Sequence, residues 1–221
     1  MIKRNTGFSN LSMGYLFPEV ARRRREFAQK NPDAKIISLS IGNTTEPLPE
    51  CIAKAMADYS MGLATTEGYS GYGDEQGTPT LRAKIAEVWY KNLLDADEVF
   101  ISDGAKCDIA RIQTLFGRKT KVAVQDPAYP VYVDGSVIIG SAGKPFSSGY
   151  KKVTYMPCTP ENNFFPDLTK VRKNSLIYFC SPNNPTGACA AKDDLKKLVD
   201  FSNKNGCIII YDAAYREFIR P

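Results

Sequence analysis

Histidine is missing from all 221 residues of the chain. Its absence removes Ser-His-Asp and Cys-His nucleophilic catalysis, and it denies the six cysteines a common co-ligand for zinc. Cys51, Cys107, Cys158, Cys180, Cys189 and Cys207 form no C-x-x-C pair, and several sit in apolar runs, so reduced and mostly buried thiols are expected. No window approaches the roughly 20 apolar residues of a membrane-spanning helix, and the opening MIKRNTGFSN has no secretory apolar core. A soluble intracellular protein is the expectation. Charge is also sparse in asymmetry: 29 basic against 24 acidic residues give +5, too mild to demand a nucleic acid, although it slightly favours an anionic ligand. The one basic run, Arg22 to Arg25, fans around most of a helix circumference and reads as a solvated face.

What is present is an ordinary globular composition, 43% hydrophobic, with helical and strand patterns in alternation. Helices are expected from Pro18 to before Pro32, over Pro49 to Met61, from about Thr80 to Asn92 with Leu81, Ile85, Val88 and Trp89 at helical spacing, and over Ala105 to Phe116. Two more are expected through Ile139 despite Gly135, and from about Lys192 to Asn203 with Leu195, Leu198 and Val199 on one face, ended by Gly206. Strands are expected at Lys35–Gly42, Glu98–Ser102, Lys121–Gln125, Val153–Met156, Leu176–Cys180 and Cys207–Tyr211. Short apolar strands separated by helices indicate an α/β fold, a mainly parallel sheet with helices on both faces.

In such a sheet the ligand lies beyond the carboxyl ends of the strands. Four segments there carry suggestive chemistry. After EVFIS, DGAK opens a helix at Gly104 and Ala105 whose amides, with Lys106, could bind a phosphate; packing alone would also explain small residues there. After KVAVQ, DPAYP offers Tyr129 as a ring to stack on a flat cofactor, against the plain reading of a half-buried turn tyrosine. After LIYFC, SPNNPTG sets Asn184 before a proline whose bond can be cis, aiming the side chain inward; a chemically silent turn is the alternative. After CIIIY comes Asp212, costly to bury unless a cationic or hydrogen-bonding group meets it, with Tyr215 three residues on. A protonated ring nitrogen would serve, and the four segments together point to pyridoxal phosphate.

These motifs carry a resemblance. KRN, YLFPEV, ISLSIGNTTEPLP, GYSGYGDEQG, FISDGAKCDIAR, VQDPAYPVY, CSPNNPTGA and YDAAY occur in the order found in fold-type I, class I/II aminotransferases, and more narrowly in their LL-diaminopimelate branch. The resemblance covers essentially the whole chain, as the N-terminal half of such a protein. It implies an N-terminal arm and part of a small domain at 1–46, and an incomplete cofactor-binding large domain at 47–221. It implies pyridoxal 5'-phosphate held by Ala105 and Lys106 at the phosphate, Tyr129 on the ring, Asn184 and Tyr215 at the phenolic oxygen and Asp212 at the nitrogen.

The resemblance also implies a homodimer with shared sites. Tyr72 would reach the phosphate in the other subunit, and Glu75 would read the distal end of a long two-headed substrate. Tyr15 and Gly42 would close over that substrate, with Lys106, Tyr129 and Asn184 on the same side. Read by themselves, Gly71 to Gly73 form a surface turn and Glu75 a cap. The resemblance implies that the family's Schiff-base lysine and carboxylate-binding arginine lie downstream of Pro221, so no catalytic residue is assigned and these 221 residues are expected to be inactive alone. No metal, nucleic acid or membrane is implied. The implied activity moves an amino group between LL-diaminopimelate and 2-oxoglutarate in lysine biosynthesis, in the cytoplasm or a plastid stroma. An aspartate or aromatic aminotransferase, or a non-catalytic truncated fragment, are the alternatives.

Overall fold

A computed structural model of the protein describes residues 2–11, 16–39 and 46–220. It divides into two compact units, Met1–Met13 with Ser102–Pro221, and Gly14–Ile101. The expected boundary at 46/47 falls inside the second of these.

A short helix, α1 (Gly7–Asn10), belongs to the first unit, and α2 (Leu16–Lys30), α3 (Glu50–Gly62) and α4 (Pro79–Tyr90) to the second. On α2 the arginine run is a solvated, ion-paired face: Arg22 bonds Glu19 at 2.7 Å, and so does Arg23. Those two guanidiniums hold the Glu19 carboxyl down at about 2. In α4 the apolar spacing misidentifies the inner face. Leu81, Val88 and Trp89 are exposed, and the buried residues are Arg82 and Ala86. Arg82 is tolerated inside because its guanidinium donates to the Gly77 and Ala96 carbonyls and meets Asp97 at 3.2 Å.

The first unit is built on a sheet. After α5 (Ala105–Phe116) come β1 (Lys121–Asp126), α6 (Val131–Ile139), the two-residue strands β2 (Pro145–Phe146) and β3 (Gly149–Tyr150), β4 (Val153–Pro157), β5 (Ser175–Cys180), α7 (Lys192–Asn205) and β6 (Ile208–Asp212). The four main strands run parallel in the order β4-β1-β5-β6. Alternate residues of β1 and β5 point to opposite faces. Val122, Val124, Leu176, Tyr178 and Cys180 pack with Ile109 of α5 and Val131, Tyr132 and Val137 of α6. Ala123, Ile177 and Phe179 pack with Met156 and with Leu198 of α7. Helices therefore cover both faces, which is why β5 reads as an unbroken apolar run. Gly206 ends α7 in the left-handed region, φ 63°, where its N–H caps the Ser202 carbonyl.

Two expected strands do not form among the described residues. Residues 34–39 are without ladder pairing, with Ile37 and Leu39 exposed, and 40–42 lie outside the described residues. Around Glu98 the chain makes a 3-10 turn over Ala96–Glu98, closed by a capping box from Asp95. Val99 beyond it is extended, but Ile101 donates to a loop carbonyl, that of Gln76, at 2.8 Å. Extended apolar sequence becomes strand only where a neighbour accepts its hydrogen bonds. The thiols also need correction: only Cys158 and Cys180 are buried, Cys107 and Cys207 are half-buried, and Cys51 and Cys189 are exposed.

Candidate functional site

The carboxyl ends of β1, β5 and β6 open on one side of the sheet, and the segments following them converge there with the start of α5. Ala105, Lys106, Ile109, Tyr129, Cys180, Asn184, Asp212, Ala214 and Tyr215 line one cavity of about 230 Å³. Six of these nine are residues that the sequence singles out. That volume lies below the roughly 300–1,000 Å³ of drug-sized ligand sites, and suits a compact single-ring molecule.

Each wall of the cavity has a local cause. Gly104 precedes α5 at φ 121°, a conformation that costs a side-chain-bearing residue, and a Cβ there would meet nothing within 4 Å, so an anion has room to approach. Ala105 and Lys106 follow as the first two residues of the helix, where the dipole favours negative charge. Lys106 adds a cation, which also partly offsets the burial that raises Asp134. Arg111 pairs with Asp103 at 2.8 Å beside this helix, holding that carboxyl below its ordinary range.

The loop after β5 is tightly fixed. The Asn184–Pro185 bond is cis, as are Asp126–Pro127 and Ser181–Pro182. Asn183 is buried and donates to the Pro127 carbonyl at 3.2 Å and to Thr186 at 3.0 Å, while Asn184, half-buried, turns to the cavity. Cys180 closes the floor; burial pushes its thiol up, with the Asn184 backbone pulling partly back.

At the end of β6, Asp212 is held at both carboxylate oxygens. Oδ1 accepts the Ala214 N–H at 3.0 Å and Oδ2 accepts the Tyr132 hydroxyl at 2.7 Å. Tyr132 is the participant that the sequence reading passed over. One helical turn after Tyr129 in DPAYPVY, it is fully buried, whereas Tyr129 is half-buried at the cavity. The rings of Tyr129 and Tyr132 meet edge-on at 6.0 Å, and Tyr132 stacks on Tyr178 at 5.0 Å. The spacing of the two tyrosines was a legible signal; the 80-residue reach to Asp212 was not.

The donor set fits a flat ring bearing an anion at one end and a basic nitrogen at the other. The start of α5 with Lys106 would suit the anion, the Asp212 carboxylate would suit the nitrogen, and Asn184 and Tyr215 carry groups able to donate to a ring oxygen. Tyr72 and Glu75 lie in the other unit, both exposed, and Tyr15 and Gly42 lie outside the described residues. Among the described residues no group of three or more His, Cys, Asp or Glu is placed to hold a metal ion. No helix among them is long and apolar enough to cross a membrane.

Known proteins are similar to the chain along its whole length. The chain is 55% identical over 222 aligned residues to a chloroplastic LL-diaminopimelate aminotransferase of Arabidopsis thaliana, covering 99% of this chain and 48% of the relative. It is 51% identical to an LL-diaminopimelate aminotransferase of Protochlamydia amoebophila, covering 100% and 54%. Among solved structures, the L,L-diaminopimelate aminotransferase of Chlamydomonas reinhardtii superposes with a TM-score of 0.93 at 58% identity, over all of this chain and 54% of that one. The chain thus spans about half the length of the curated relatives it matches. Aminotransferase class I and II sequences as a family match residues 34–221, and with the parallel sheet and its strand-end cavity in place, the chain belongs to that family.

Proposed function

We propose that these residues form the cofactor-binding part of an LL-diaminopimelate aminotransferase, which exchanges an amino group between LL-diaminopimelate and 2-oxoglutarate in lysine biosynthesis. The observation that carries the reading is the single cavity shared by Ala105, Lys106, Tyr129, Asn184, Asp212 and Tyr215. Class I and II aminotransferases in general use pyridoxal phosphate and act on small amino and oxo acids. The similarity to relatives named for LL-diaminopimelate supports that substrate.

Pyridoxal phosphate, when bound, supplies a ring that accepts the electron pair left as the substrate's α proton departs. The chain's own residues prepare that role. Asp212 offers its carboxylate to the ring nitrogen and keeps it protonated, so that electron acceptance costs less. Asn184 and Tyr215 would donate to the phenolic oxygen, and Tyr129 would supply an aromatic wall that excludes water from the ring. The amides of Ala105 and Lys106, with the Lys106 ammonium, take the phosphate, and these same residues with Tyr129 and Asn184 border the substrate. Lys106, committed to that end, is not the proton carrier. We assign proton transfer to a lysine in the half of the relatives' length that this chain does not span.

Specificity and assembly follow from the other unit. A carboxylate at Glu75 suits a substrate with a distal ammonium and repels a simple dicarboxylate, which favours diaminopimelate over aspartate. We assign Tyr72 to the phosphate and Glu75 to the substrate of a second subunit, and Tyr15 and Gly42 to closure over the substrate, so the active protein is a homodimer. The test is glutamate formation from LL-diaminopimelate and 2-oxoglutarate by the protein expressed from its complete gene. Turnover is expected, with Asp212→Ala lowering kcat/KM by about 10²–10³-fold, the size of losing one preorganised electrostatic group. Bound cofactor without glutamate formation would remove the substrate assignment.

A further inference from the structure

Resting on the cofactor site just described, we infer that Tyr132 is the positioning residue of Asp212: a buried phenol that fixes which way the carboxylate faces and keeps one of its oxygens supplied with a proton donor. Nothing in the order of residues joins them, since 80 positions separate the two, and the contact is made only when α6 packs under the end of β6.

Tyr132 is held at its ring, its carbonyl and its hydroxyl. Its side chain is 0% exposed. Its ring stacks on Tyr178 with an interplanar angle of 11° and meets Tyr129 at 83°. Its carbonyl accepts the Gln113 side chain at 3.0 Å and the Ser136 hydroxyl at 2.8 Å, which fixes the backbone beneath the ring. The hydroxyl donates to Asp212 Oδ2 at 2.7 Å, with the Cys180 thiol beside it as a second neighbour. Burial, then the hydrogen bond to Asp212, push the phenol far above its ordinary value, so it remains a donor at every working pH.

The consequence lies in the carboxylate. With Oδ1 taken by the Ala214 amide, the Tyr132 bond completes a two-point hold and stops rotation about the last side-chain torsion. The lone pairs left over face a direction set by the protein, not by solvent. A ring nitrogen entering the cavity then meets an acceptor that needs no reorientation, and the ordering cost is met at folding. The same tyrosine touches the edge of Tyr129, so one residue sets both the stacking wall and the charged end of the site.

The experiment uses the protein expressed from its complete gene and pyridoxal phosphate labelled with ¹⁵N in the ring. Tyr132→Phe keeps the ring stacking and removes one hydroxyl. It should weaken cofactor binding by about ten- to a hundredfold, the range for a hydrogen bond to a charged group. The ring-nitrogen resonance should move towards that of a neutral pyridine, while the melting temperature of the cofactor-free protein changes little. In an Asp212→Asn background the same substitution should cost far less, because the hydroxyl acts through the carboxylate. Wild-type affinity and an unmoved resonance in Tyr132→Phe would overturn the inference alone. So would an equal loss in the Asp212→Asn background, which marks a merely structural role. Failure of the wild-type protein to bind pyridoxal phosphate would overturn the functional reading and this inference with it.

Discussion

At the scale of single residues, the site is set by which polar groups are buried and by what meets them. Tyr132 and Tyr178 stack as a pair in the core, yet differ in their hydroxyls. One donates to Asp212, and the other is buried without a hydrogen bond of acceptable geometry among the described residues. Burial pushes the Tyr178 phenol up to about 12, with the nearby Gln113 amide countering in part. Thiols divide in the same way. Cys158 and Cys180 are 2% and 1% exposed, and burial pushes both up. A maleimide at near-neutral pH should label Cys51 and Cys189 quickly and leave Cys158 and Cys180 until denaturant is added, as read by peptide mass spectrometry. Fast labelling of native Cys180 would contradict the packing. The raised values mean that the folded state holds these protons more tightly than the unfolded one. Their stabilising contribution is therefore whole below the ordinary thiol value of 9.0 and is lost as pH rises through and above it.

At the scale of elements, pattern and packing agree on the four paired parallel strands and part company on the inner faces of the helices. In α7 the sequence offers Leu195, Leu198 and Val199 as one face, but Leu198 is the one fully buried, Leu195 is half-buried and Val199 is 47% exposed. Leu198 reaches Ile177 and Phe179 on the sheet, which holds α7 against that face. Leu198→Ala should cost about 2–5 kcal/mol, and Val199→Ala less than about 0.5 kcal/mol, in urea unfolding monitored by circular dichroism. Equal losses at the two positions would mean that α7 is rotated from the orientation described. In α4 the same periodic argument fails because a buried arginine, bonded to two carbonyls and to the Asp97 carboxylate, occupies the inner face that apolar residues were expected to fill.

At the scale of the whole molecule, the sheet has an uneven finish. β4 stands at one edge and β6 at the other, and β6 pairs with β5 alone among the described residues. Ile208 and Tyr211 on β6 are 47% and 43% exposed, and Phe218 and Ile219 follow it, also exposed. An apolar strand with an unpaired edge is a template for another strand. The 221 residues by themselves should therefore self-associate in sedimentation velocity as concentration rises, and Ile208→Lys should raise the monomer fraction. A cooperative melt from a soluble monomer would argue against an open edge.

The sequence by itself determined where most helices and the sheet strands lie, and it marked six of the nine cavity residues, because apolar periodicity and turn chemistry are local properties. Asp212 and Asn184 could be singled out since strand ends are readable and a carboxylate or amide there needs a partner. Tertiary structure alone decided the rest. Whether 98–102 became a strand depended on a neighbour accepting its hydrogen bonds, and which cysteines were buried depended on the face each strand turned inward. The meeting of Tyr132 with Asp212 likewise belongs to the fold, for a hydrogen bond across 80 residues exists only after two elements have packed.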